Sequence, residues 1–71
     1  MIRAYAGLPM ITLELDQQPD GQWRYRILQT FDGKQSVKVD WEYGCHNERE
    51  TIQQAKDRFG SFDKILILDW I

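Results

Sequence analysis

The stretch MITLELDQQPDGQWRYRILQTFDGKQSVKVDWEY, Met10 to Tyr43, decides the fold. It contains two matching turns, Pro19-Asp20-Gly21 and Phe31-Asp32-Gly33, and each separates two runs of alternating apolar and polar residues. Alternation with a period of two marks strands with one buried face. The first strand is expected over Met10–Asp16, with Ile11, Leu13 and Leu15 on one face. The second is expected from Gln22 to Thr30, with Trp23, Tyr25 and Ile27 inward. The third is expected from Gln35 to Tyr43, with Val37, Val39, Trp41 and Tyr43 sharing a face. The three form an antiparallel meander.

The register is set by the turns. A two-residue Asp32-Gly33 loop would set Ile27 against Lys38 and Tyr25 against Asp40, which sends an apolar set to the wrong face. A three-residue loop, a type I turn ending in a left-handed Gly, pairs Ile27 with Val37, Tyr25 with Val39 and Trp23 with Trp41. The loop Pro19-Asp20-Gly21 does the same for the first hairpin. It sets Gln18 opposite Gln22, and Pro19 has the φ that a type I turn needs. On the opposite face Arg24 then lies between Asp16 and Asp40, and Arg26 between Glu14 and Lys38. Cross-strand pairs of opposite charge contribute roughly 0.2–1 kcal/mol each.

Beyond Gly44 the alternation stops. Ile52, Ala55 and Phe59 make the apolar stripe of a short helix. Asn47 with Glu50, or Thr51 with Gln54, supplies its cap; we expect Thr51, with Gly60 as the left-handed stop. Lys64 to Ile71 reads as a fourth strand, with Ile65, Ile67 and Ile71 toward the core and Leu66, Leu68 and Trp70 away from it. The fold class is therefore α+β, in the order β-β-β-α-β, with one helix packed on one sheet face. A helical crossover makes the last strand parallel to the third or the first. We expect it beside the first, giving the order 4-1-2-3.

The chain has 71 residues and forms a single small domain, 1–71, in which residues 1–9 are an arm or a short extra strand. A domain this short buries only about 60% of its unfolded surface, so three Trp, three Tyr and three Phe are valuable core material. Its longest apolar run, Ile65 to Leu68, is too short to span a bilayer, and residues 1–5 lack the apolar core of a secretory signal. A single cysteine excludes an internal disulfide and points to the cytoplasm. A net charge of −2 argues against a sequence-independent grip on nucleic acid or anionic membrane.

The sequence presents no catalytic, metal or phosphate motif, and we expect neither an enzyme nor a cofactor. Cys45 and His46 are adjacent, so on an extended segment their side chains diverge. Asp69 is the one carboxylate expected on the core-facing side of a strand. The functional signal is instead a surplus of apolar surface, because one helix covers one sheet face. Leu66, Leu68 and Trp70, with Leu28 and Met10 nearby, are expected to form a partner or dimer interface. The competing reading folds Ile2, Tyr5 and Leu8 of the arm over that face. An alternative function is nucleic-acid binding through Arg24, Arg26, Lys38, Lys56 and Arg58, with Arg49 contributing from the loop.

Gly44-Cys45-His46 through Thr51-Ile52-Gln53-Gln54-Ala55 resembles a short run of HicB-type antitoxin domains: a Gly-Cys pair, a short spacer, and a Thr that caps a helix with Ala four residues on. Those domains have a similar β-β-β-α-β topology and hold a toxin. The resemblance implies an antitoxin-like protein partner, as in small accessory proteins of phages and mobile elements, and no active site.

Overall fold

The structure is a computed structural model and describes residues 9–68. Expectations for the arm and for Asp69, Trp70 and Ile71 lie outside these residues. The elements in chain order are β1 (Met10–Gln17), β2 (Trp23–Phe31), β3 (Lys34–Tyr43), α1 (Glu48–Phe59) and β4 (Lys64–Leu68). They form one four-stranded sheet in the order β3-β2-β1-β4. β1 is antiparallel to β2 and parallel to β4, and the sheet has the expected strand order.

The first hairpin has the expected register, with Leu13 opposite Ile27, Glu14 opposite Arg26, Leu15 opposite Tyr25 and Asp16 opposite Arg24. Gln18 N–H donates to Gln22 O at 2.8 Å, and Gly21 takes φ 94°. Pro19 is the physical reason. A two-residue loop would require Pro19 to exchange an N–H bond with Gln22, and proline has no N–H.

The second hairpin departs from the expected register. Phe31 pairs with Lys34, so Asp32-Gly33 alone form the loop, with positive φ at both residues, 54° and 78°. That is the type I′ geometry which Asp-Gly favours, and Phe31 has the N–H to close it. Two register shifts follow inside β3: the first returns Val39 to Ile27, and the second turns the ladder over again. Leu28 pairs with Val37, Ile27 with Val39, and Tyr25 with Glu42. Each shift inserts an extra β3 residue and re-aims its neighbours.

Several side-chain assignments are corrected as a result. Val39 packs against the core as expected, whereas Val37 shares the face of Leu28 and is 53% exposed. Trp41 lies on the arginine face, with its ring 4.1 Å from the Arg24 guanidinium carbon and 4.8 Å from that of Arg26. Tyr43 sits opposite Arg24 and is exposed. Asp40 does not meet Arg24, and its carboxylate accepts the Trp41 N–H at 2.7 Å.

The core comprises Leu13, Leu15, Tyr25, Ile27 and Ala55, with Ile11, Trp23, Val39, Ile52 and Phe62 packed around it. The helix begins one turn before the expected cap. Asn47 is the N-cap, and its side chain accepts the Glu50 N–H at 3.0 Å. Thr51 is instead fully buried within the first turns. Its hydroxyl donates to Asn47 O at 2.9 Å and accepts the Cys45 N–H at 3.0 Å, so it fastens the preceding loop to the helix. Gly44 leaves room for this contact, since a β-carbon there would stand 2.5 Å from Thr51 Cγ2. Gly60 ends the helix with φ 96°, donating its N–H to Lys56 O.

Candidate interaction surface

β4 is attached to the sheet at its start. Asp63 N–H donates to Ile11 O at 2.9 Å, and the Asp63 carboxylate accepts the Ile11 N–H at 2.8 Å. From there β4 runs beside β1, pairing Leu13 with Ile65, Glu14 with Leu66, Leu15 with Ile67 and Asp16 with Leu68. Ile65 and Ile67 therefore share the helix-covered face, and Leu66 and Leu68 the other. All four are 36–46% exposed. The outer edge of β4 pairs with no strand among the described residues.

The exposure of Ile65 and Ile67 corrects the expectation that the helix buries them. Helix α1 packs chiefly over β2. A helix is roughly 10–12 Å across with its side chains, while four strands at about 4.8 Å spacing are wider than that. Strand number and helix number were both readable, so a width comparison would have predicted an uncovered edge.

Of the other expected interface residues, Met10 is 47% exposed at the start of β1. Leu28 is only 2% exposed, so it is a packed residue of that face and offers no contact area, a correction to its place in the interface. Trp70 lies outside the described residues.

The expected nucleic-acid set does not assemble. Arg24 grips Asp16 through Nε and Nη2 at 3.1 and 2.8 Å, and Arg26 Nε meets Glu14 at 2.7 Å. Both stack on Trp41, so charge and ring face are engaged within the sheet. Arg58 lies on the helix and pairs with Glu42 at 2.6 Å, while donating to Tyr25 Oη at 3.3 Å. Lys56 is exposed on the same helix. Lys38 is also exposed, but it lines a groove on the helix side of the sheet and does not face Arg26. The cations are thus divided between two faces, and the three arginines already hold carboxylates.

The Tyr25 phenol is packed under the helix. Burial pushes its pKa above the ordinary 10.0, Arg58 acts against that shift, and Glu42 adds to it. Cys45 Sγ contacts Gln54 Oε1 at 3.4 Å. No three His, Cys, Asp or Glu side chains converge in metal-binding fashion among the described residues. No described helix is long and apolar enough to cross a membrane. No family model, curated protein or solved structure matches the chain.

Proposed function

We propose that this chain is a non-catalytic interaction module that docks a second copy of itself along β4. The observation that supports the reading is the five-residue strand Lys64–Leu68, with one charge, four half-exposed apolar side chains and an outer edge unpaired among the described residues. Such an edge is an open template for strand pairing unless it is covered. Two-fold antiparallel pairing of β4 with its copy would satisfy the outer N–H and C=O groups of both chains. It would also remove Ile65 and Ile67 on one face, and Leu66 and Leu68 on the other, from water together. The single free Cys45 fits a reducing cytoplasm.

The resemblance to HicB-type antitoxin domains supports a protein partner in general terms. In this chain the residues that carry it, Gly44, Cys45, Thr51 and Ala55, seat the helix. The partner surface therefore lies on β4.

Size-exclusion chromatography with light scattering tests the proposal. Wild type is expected to elute as a concentration-dependent dimer, and Leu68→Asp as a monomer with an unchanged circular-dichroism spectrum. A wild type that stays monomeric and folded at every concentration overturns the proposal. Protection of the β4 amides from hydrogen exchange in wild type supplies a second readout, which holds even if the variant loses stability. It should rise with protein concentration.

A further inference from the structure

We infer that the groove between the bulged part of β3 and the end of α1 binds a small amphipathic carboxylate, a short aliphatic or arylalkyl acid. The groove takes no lining residue from β4, opens to solvent and has a volume of about 240 Å³. Ile11, Ile27, Val39, Phe59 and Phe62 supply its apolar lining, and the exposed Lys38 and Ser61 its polar lining. The volume is below the roughly 300–1,000 Å³ of drug-sized ligand sites, so the space suits a short ligand. An apolar hollow with a few convergent polar groups is the usual form of a small-ligand site.

Lys38 selects the ligand's charge. Arg24, Arg26 and Arg58 each hold a carboxylate of this chain. Lys38 makes no ion pair among the described residues, and it stands at the mouth of an apolar hollow. The bulge in β3 leaves Lys38 unpaired in the ladder: Val37 pairs with Leu28 and Val39 with Ile27, and Lys38 is the extra residue between them. In the unbulged ladder set by the two-residue loop Lys38 would stand opposite Ile27, in the place that Val39 takes. Bulges give up ladder pairing and re-aim side chains, often beside functional sites. An acid placed here rests its apolar body on Ile27, Val39, Phe59 and Phe62. Its carboxylate accepts from Lys38 Nζ and Ser61 Oγ.

Titration of the ¹⁵N-labelled protein with octanoate, octan-1-ol and octylammonium tests the inference. Octanoate should shift the amides of Val39, Ser61 and Phe62 saturably, and bind about fivefold more tightly than the alcohol, the scale of one partly exposed ion pair. Lys38→Gln should abolish that preference, and Lys38→Glu should transfer it to octylammonium. Both variants alter an exposed side chain, and dispersed amide spectra will show that they fold. Equal binding of acid and alcohol by wild type overturns the inference. So do saturable shifts confined to β4, or the absence of saturable shifts with octanoate.

Discussion

The two hairpins carry nearly the same turn, Pro-Asp-Gly in one and Phe-Asp-Gly in the other, yet they fold differently. The first uses all three residues as its loop and runs in unbroken register from Gln17 opposite Trp23 to Met10 opposite Thr30. The second uses only Asp32-Gly33 and accumulates two register shifts between Leu28 and Tyr25. One backbone hydrogen separates them. Phe31 can donate to its cross-strand partner at the loop and Pro19 cannot. Where the shorter type I′ loop is open to the chain, its match to strand twist wins, and one bulge corrects the face error at Val39 while the next turns Trp41 out to the arginine face. A proline in a turn therefore settles loop length as well as φ.

The largest expected difference between the hairpins is in packing. Leu15, fully buried in the straight hairpin, should cost about 2–5 kcal/mol when truncated to Ala. Val37, exposed in the bulged one, should cost less than about 0.5 kcal/mol. Urea denaturation of both variants checks this, and equal costs would place Val37 in the core and dissolve the contrast.

Exchanging the turn chemistry should have the next largest effect. Phe31→Pro removes the N–H that closes the two-residue loop, at an expected cost of about 1–3 kcal/mol. The hairpin should then adopt the three-residue loop, and the Trp41 ring should leave Arg24 and Arg26. Nuclear Overhauser contacts of the Trp41 indole report the move. If those contacts and the stability are unchanged, loop length does not govern the bulges.

The smallest expected effect sharpens the outcome of the bulges. They bring Glu42 opposite Tyr25, under Arg58. The native phenol holds its proton more firmly than the unfolded one. Its contribution is therefore full below about pH 10 and declines as pH rises through the raised native value. Stability measured across that alkaline range should fall less steeply in Tyr25→Phe than in wild type. Identical slopes would separate Tyr25 from this linkage.

Much of the architecture was legible because it rests on local rules. Alternation named the strands, Gly60 ended the helix, and the crossover made β4 parallel to β1 or β3, of which β1 is its neighbour. The Asp16–Arg24 and Glu14–Arg26 pairs came from a turn that proline left no choice about. The facings of Trp41, Tyr43, Asp40 and Lys38 follow from the two-residue loop and the two bulges acting together, not from the alternation. A bulge adds a residue without any mark in the hydrophobic pattern, and each one reverses the facing of the residues beyond it. The helix cap was misassigned because Thr51 satisfies a capping pattern and a buried tertiary contact equally well. Only the docking of Cys45 on its hydroxyl separates the two.

The amino-acid order by itself determined which segments are strands and helix, how the first hairpin aligns, and that the last strand carries more apolar surface than one helix can cover. These depend on side-chain period, on glycine's freedom at positive φ, and on proline's missing hydrogen, all properties of a residue and its near neighbours. Tertiary structure alone decided the bulged register of β3, the face taken by Trp41, the seat of Lys38 at the groove, and the exposure of Ile65 and Ile67. Each of those depends on how a sheet of four strands reconciles a tight turn at one end with a single helix across its middle, a competition among distant contacts that no local pattern records.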